Sequence, residues 1–380
     1  MMVWVIQMDT NNIPTLGIFY NGQAVSDKTP NFGLEGHHFQ QLARLAPNYG
    51  LKVIVFMPHR VDLENSLIQG YTLNRCQEWV FETFPFPNVL YVRGVSSDTT
   101  ESQERFRLVE HFEKLGIANL NNNAFAELVG NKLLFHMALQ KSEVASFLPY
   151  TEPWQSSRLP YFLQQFETVF LKPIDGFESR GLIRIQQDLG SYQWILSDSN
   201  GILETQSGSL TMLLSTLDRA TKNHEYIMQE GIQRTPTSSR FVEHRCLMQR
   251  VKNTWYRTTH VLRVNSAQNL PFISAGREKN YLYQTPPFSL EIEEVERFEQ
   301  NVQHLTDYLS RFFNQSPYYA SEFSVDFILD SQQNIRLLEC NARPSGFFLQ
   351  TGDWLGRMSY LSHTLQHAAC LVRNIPEPCQ

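Results

Sequence analysis

The sequence has little cysteine, and its cysteines form no pattern. Five (Cys76, Cys246, Cys340, Cys370, Cys379) are scattered over 380 residues without a CxxC. Neither a zinc site nor a disulfide framework is supported, and a reducing cytoplasm is the expected compartment. No stretch reaches the roughly 18 uninterrupted apolar residues of a membrane helix. The opening MMVWVIQMDTNN lacks a basic segment and a small-residue cleavage site, so it reads as a strand rather than a signal peptide. There is no GxxxxGK(S/T), no GxGxxG after the first strand, no GxSxG and no HExxH. P-loop, dinucleotide, esterase and zincin chemistry therefore lack their signatures. An excess of basic charge is also missing. With 32 Lys and Arg against 38 Asp and Glu, the net charge is -6, which argues against nucleic acid as a partner. No internal repeat or low-complexity segment interrupts the chain.

What is present is enough for large cores. Hydrophobic residues make up 42% of the chain and aromatics 12%, and at roughly 100–200 residues per domain two or three domains are expected. Residues 1–122 alternate strand and helix. VWVIQM, TLGIFY, LKVIVFMP (closed by its proline), PNVLYVRG and IANLNN read as strands. HHFQQLARLAPNYG and ESQERFRLVEHFEKLG read as helices with apolar faces (Phe39, Leu42, Leu45; Phe106, Val109, Phe112). Such alternation predicts a parallel α/β layer. In 123–236, AFAELVGNKLLFHMALQKS reads as one long helix with an interior Gly130, and LPYTEPW as a linker. VFLKPIDGFESRGLI is strand, loop, strand, and EYIMQEGI is a strand running into a turn. In 237–380, two antiparallel hairpins, turning at Lys252–Asn253 and at Asp330–Asn334, flank a long amphipathic helix, and SYLSHTLQHAACLVRN closes the chain. The class expected is α/β followed by α+β.

Four segments carry candidate chemistry. Glu339 and Asn341 lie two apart on a strand and so share a face. Asp326, on the preceding strand, can approach that face. Three hard oxygen donors suit Mg²⁺, with waters and phosphates completing the shell; solvated acids at strand ends are the plainer alternative. Lys172 sits at the mouth of a loop containing Gly176 and Gly181, where a lysine and backbone amides can meet phosphates, or where a surface hairpin can simply expose a lysine. Gln229, Glu230 and Ile232 end a strand that could present backbone groups to an adenine edge. Arg245 and Arg263 lie on facing strands, and their planar forks suit phosphate or carboxylate oxygens, unless they are paired surface charges. Elsewhere, His37 and His38 read as a helix cap or solvent-facing pair, and His244 and Cys246 as packed beside Arg245. Trp79, Phe81, Phe84 and Phe86 read as core. Trp354 reads as core or as a wall of an acceptor pocket.

The order of "LGIFYNG", "FPFPNVLYVR", "GNKLLFHMALQ", "FLPYTE", "VFLKPIDG", "MQEGI", "RVNS", "ISAG" and "ECNARPSG" resembles the YheC/YheD family of the ATP-grasp superfamily, described as endospore-coat-associated. The likeness runs from about residue 15 to 372. It implies an ATP-grasp fold behind an N-terminal α/β domain, clamping ATP and Mg²⁺ in the cytoplasm. It implies a carboxylate–amine ligase working through an acyl phosphate, with small-molecule or peptide substrates, no membrane partner, and a homo-oligomer as an option. Spore association enters through the family name alone. Carried over by position, Lys132 and Lys172 would touch the α/β-phosphates, below a lid hinged at Gly176 and Gly181. Gln229, Glu230 and Ile232 would line the adenine and ribose pocket. Asp326, Glu339 and Asn341 would hold Mg²⁺, and Arg245, Arg263 and Arg343 would neutralise the γ-phosphate and acyl phosphate. The sequence departs from the family in its lid, Gly176-Phe177-Glu178-Ser179-Arg180-Gly181, which replaces a glycine and a small residue and adds an acid. Glu243 stands where the family tends to place an aspartate nearby. The altered lid favours, as a second expectation, a nucleotide-binding scaffold with little turnover; a kinase-like phosphoryl transfer on the same fold is the third.

Overall fold

The computed structural model describes residues 13–21, 30–94, 99–176, 180–188, 190–198, 203–233, 242–265, 279–282, 292–344 and 353–373. The expected first strand VWVIQM, the lid residues Phe177–Ser179 and "ISAG" lie outside them.

The first layer contains β1 (Thr15–Tyr20), α1 (Gly36–Leu45), β2 (Lys52–Asp62), β3 (Leu67–Leu73), β4 (Trp79–Pro85), β5 (Val89–Arg93), α2 (Thr99–Lys114) and β6 (Ala118–Asn119). Its sheet runs β4-β3-β2-β1-β5-β6. β2, β1, β5 and β6 pair in parallel, as alternation predicts, but β3 and β4 add an antiparallel extension. The sequence hides this extension because β4 is a largely exposed edge strand with weak apolar alternation. Pro58 does not end β2. The β2–β3 ladder shifts register between Phe56 and Val61, so the missing N–H of proline falls where pairing is interrupted.

The second layer follows with α3 (Asn123–Gly130), α4 (Lys132–Leu139), β7 (Thr151–Pro153), α5 (Leu159–Gln165), β8 (Thr168–Pro173), β9 (Ile183–Asp188), β10 (Ser191–Ser197), β11 (Leu203–Gly208), α6 (Leu210–Ala220) and β12 (Tyr226–Glu230). The sheet β11-β10-β9-β8-β12-β7 is antiparallel throughout. Two expectations are corrected. The single long helix is broken: Asn131 is extended (φ -107, ψ 106), and its side chain accepts from the N–H groups of Leu133 and Leu134 at 3.1 and 3.0 Å. Such an N-cap is worth about 1 kcal/mol, enough beside a glycine to favour two helices over one. The break makes Lys132 the first residue of α4. LPYTEPW is not all linker either; its middle pairs as edge strand β7, where a terminal proline is tolerated.

The third layer holds β13 (Val242–Val251), β14 (Thr254–Asn265), β15 (Lys279–Leu282), α7 (Ile292–Phe312), β16 (Glu322–Leu329), β17 (Ile335–Asn341) and α8 (Trp354–Val372), with sheet order β15-β14-β13-β16-β17. Both hairpins turn where the sequence places them. This sheet is buried on both faces. Cys246, Met248, Val325 and Phe327 pack with α3, α4 and the α7 stripe Phe298, Val302, Leu305, Leu309. Leu247 and Val261 pack instead with α8 and the first-layer core. At roughly 1.5–3 kcal/mol per fully buried large apolar side chain, that stripe alone anchors α7.

A polar seam crosses between the first and third layers. Arg93, 1% exposed, donates to Glu322 at 3.1 Å, to Glu35 at 3.0 Å and to the Pro344 carbonyl. Tyr91 donates to Glu322 at 2.7 Å. His38 belongs to this seam, contrary to its expected solvent-facing position: it is fully buried, 3.3 Å from Glu35. Trp354 is corrected the other way, being 62% exposed and outside the core.

Two buried imidazoles make the fold acid-sensitive. His244 and His260 meet at 3.1 Å, and the His244 ring stacks on Phe327 with centroids 4.9 Å apart. Burial pushes His244 down to about 3 and, with help from His244 and Arg257, holds His260 well below its usual value. The folded state therefore keeps both neutral, while the unfolded chain takes up protons below about 6.5. Stability is full above that pH and falls toward pH 3, at a slope of up to about 1.4 kcal/mol per pH unit for each histidine. Urea midpoints measured from pH 7.5 to 4 should drop accordingly, and His244→Phe should flatten the slope. An unchanged slope in that variant would contradict the assignment.

Candidate active site

A cleft of about 370 Å³ lies where α2, α3, α4, the end of β8, β12 and β17 meet. That volume suits a small ligand. Lys132, Lys172, Gly176, Gln229, Glu339, Asn341 and Arg343 all line it, although the chain spreads them over two hundred residues.

Each is placed by local structure. Along β8 alternate residues Val169, Leu171 and Pro173 are buried, so Lys172 faces the other way, into the cleft. Its ammonium donates to the Gln229 carboxamide oxygen at 2.6 Å, and Gln229 in turn donates to Thr151 at 2.9 Å. Lys132 sits at the start of α4. Its backbone N–H donates to the Ile174 carbonyl at 2.8 Å, and its ammonium donates to the Gly176 carbonyl. Lys132 thus ties α4 to the chain just after β8. Burial pushes Lys172 down to about 8, with Lys132 adding to the fall, and burial also lowers Lys132.

Opposite the lysines stand Glu339 and Asn341. They share a face of β17 as their spacing predicts, and the Asn341 amide donates to Glu339 at 3.2 Å. Burial alone would raise the Glu339 carboxyl. Lys132 and Arg245 outweigh it and hold the group ionised, down to about 2. Asp326 is the register partner of Glu339 across the hairpin. It is fully buried beneath the cleft rather than lining it. Arg245 grips both its oxygens and lies 3.8 Å from Glu339, while Arg263 donates to Asp326 at 3.1 Å and to Glu243 at 2.7 Å. Arg245 and Arg263 are therefore paired, but inside the protein and next to the site.

Besides Asp326, Arg245 and Arg263, three more expected residues stand apart from the cleft lining. Glu230 is locked to Arg336, which also donates to the Leu148 carbonyl at 3.2 Å. Ile232 packs on Ile328. Gly181 adopts φ +69, and an added Cβ there would meet Pro173 at 2.9 Å, so this position requires glycine.

Does the donor set fit Mg²⁺? No group of three or more His, Cys, Asp or Glu side chains gathers as a metal cage among the described residues. Mg²⁺ in nucleotide sites is held by one or two carboxylates plus substrate phosphates. An ionised Glu339 and the Asn341 oxygen, facing two lysines across the cleft, match that pattern. Asp326 would have to release an arginine to join them.

The profile of the YheC/D-like ATP-grasp family matches residues 121–371. The chain belongs to this family. The match takes in all seven expected residues of the cleft lining. No protein of curated function matches the YheC/D-like chain in sequence. Solved structures extend the fold likeness over the first layer. The D-alanyl-alanine synthetase A of Vibrio cholerae is 12% identical, with a TM-score of 0.57 over 96% of this chain and 98% of its own. The N5-carboxyaminoimidazole synthetase of Staphylococcus aureus, complexed with ADP, is 13% identical, with a TM-score of 0.52 over 96% and 78%. The ATP-grasp ligase PsnB, with a precursor variant, Mg and ADP, is 13% identical, with a TM-score of 0.51 over 93% and 99%.

Several site residues carried no signal in the sequence. Arg105 and Ser102 of α2 line the cleft from the first layer. Arg336 and Arg93 clamp its surroundings. Arg93 and Arg336 contact residues far away in the chain, so no local spacing marks them.

Proposed function

We propose that this YheC/D-like protein is an ATP- and Mg²⁺-dependent carboxylate–amine ligase that works through an acyl phosphate and releases ADP and phosphate. The observation that carries the reading is the convergence of Lys132 and Lys172 with Glu339 and Asn341 in one cleft. Two lysines from different elements supply fixed positive charge for a polyphosphate, and Gln229 holds one of them in place. Glu339 and Asn341 would hold Mg²⁺, which when bound supplies further positive charge against crowded phosphoryl oxygens. PsnB, with Mg and ADP on the same fold, supports this cofactor pair.

The chemistry would run in two displacements. A substrate carboxylate oxygen attacks the γ-phosphorus, the bond to ADP breaks, and the carboxylate becomes an acyl phosphate. An amine nitrogen then attacks the acyl carbon, its proton is lost, and the C–O bond to phosphate breaks. The protein's part is in-line positioning and charge neutralisation. Arg245, held by Asp326 beside Glu339, stands ready to meet charge that builds on the transferred group. Lys132, bonded to Gly176, couples lid closure to phosphate binding and to the exclusion of water.

Incubating the protein with ATP, Mg²⁺ and a panel of acids and amines should release ADP only when both partners are present. Binding of ATP without ADP release on any pair would favour the scaffold reading. The lowered Lys172 adds a pH signature: half its charge is gone at about pH 8 and the rest is lost above. ATP affinity should therefore fall as pH rises through 8 to 9. Affinity that stays constant to pH 10 would remove Lys172 from the phosphate site.

A further inference from the structure

Two arginines that line the cleft have no carboxylate partner among the described residues. Arg343 follows Asn341 by two residues and lines the cleft, as does Arg105 from α2. Arg343 makes no hydrogen bond or ion pair among the described residues. Among the described residues, Arg105 donates only to the Gly94 carbonyl, at 3.2 Å. A third arginine, Arg93, stands nearby but is satisfied by Glu35, Glu322 and the Pro344 carbonyl. Its grip on Pro344 fixes the backbone immediately after Arg343.

Arg343 and Arg105 face the same cleft, and neither has a carboxylate partner among the described residues. A folded protein that needed these arginines only for stability would give them carboxylates, as it gives Arg93. Guanidinium groups left open toward a cleft suit planar, bidentate recognition of an oxyanion.

The structure assigns the Arg105–Arg343 end of the cleft to a second carboxylate carried by the acid substrate, distinct from the carboxylate that is activated. The substrate is then dicarboxylic: an acidic amino acid, or a peptide ending in one. The inference moves Arg343 from the phosphates, where family resemblance placed it, to the substrate. It also gives the first layer a part in specificity, since Arg105 comes from α2. It rests on the ligase reading for the identity of the substrate.

The test is binding to the full chain by calorimetry, with glutarate and butyrate as probes and no nucleotide present. Glutarate should bind about tenfold or more tightly than butyrate, the size expected of one charge-assisted contact. Arg343→Gln and Arg105→Gln should each abolish that preference, and Arg343→Lys should restore part of it. The thermal midpoint of Arg343→Gln should hold or rise, because no partner is lost; a fall would mark a structural arginine and overturn the proposal. Equal binding of butyrate and glutarate would overturn it too. So would orthophosphate displacing glutarate and losing its own binding in Arg343→Gln, which would return the arginines to a phosphate. ATP affinity, measured separately, should be unchanged in Arg343→Gln. If wild-type protein binds no ATP while the glutarate preference stands, the ligase reading fails and the anion subsite survives.

Discussion

Glu339→Gln is expected to keep the fold and lose the chemistry. The substitution removes one negative charge and keeps the shape, so unfolding should be little changed. The lost carboxylate is the group that Lys132 and Arg245 hold ionised at the centre of the cleft. ADP release should fall by about 10²–10³, the range seen when one preorganised group facing developing charge is removed. Stabilisation of the protein by ATP should at the same time lose its dependence on Mg²⁺. Asn341→Ala should do likewise to a smaller extent, since a neutral oxygen is the weaker donor. Retained Mg²⁺ dependence in Glu339→Gln would place the metal elsewhere.

The largest loss of stability is expected from Asp326→Ala. Asp326 is fully buried and accepts from both Arg245 and Arg263. Its removal leaves two arginines to share Glu243 and Glu339. Breaking a buried pair by deleting one partner costs about 3–5 kcal/mol, because the surviving charge is stranded. The urea midpoint should fall to match. Asp326→Ala combined with Arg245→Met should cost less than the sum of the single changes, since the second substitution removes the stranded cation. Strict additivity would mean that the two side chains do not form one unit. Turnover should fall in both variants, because Arg245 would no longer be aimed along Glu339.

The sequence made much of the fold legible where periodicity is strong. β1, β5, α7 and both hairpins of the third layer follow directly from apolar spacing and turn residues. It failed where local signals conflict with pairing partners. β4 is too exposed to alternate cleanly, Pro58 falls in a gap of its ladder, and Asn131 caps a new helix inside a run that reads as continuous. The site was legible in kind. Lys172 and the Glu339–Asn341 pair stand out because strand alternation aims each at one face. The rest was not. Arg105, Arg336 and the seam of Arg93 with Glu35 and Glu322 depend on contacts between layers, which leave no periodic trace in one chain. Asp326 shows the limit best: spacing put it beside Glu339, but only the fold reveals that two arginines hold it from beneath.

The central claim is that two lysines and one acid–amide pair form a single nucleotide site. Calorimetric titration of ATP into the full chain, with and without Mg²⁺, tests it most directly, with Lys172→Met as the comparison. The account predicts saturable one-to-one binding that Mg²⁺ strengthens, and that weakens at least about tenfold when the lysine charge is removed, as loss of one charge-assisted contact implies. No binding by the wild-type chain, or equal binding by Lys172→Met, would contradict it.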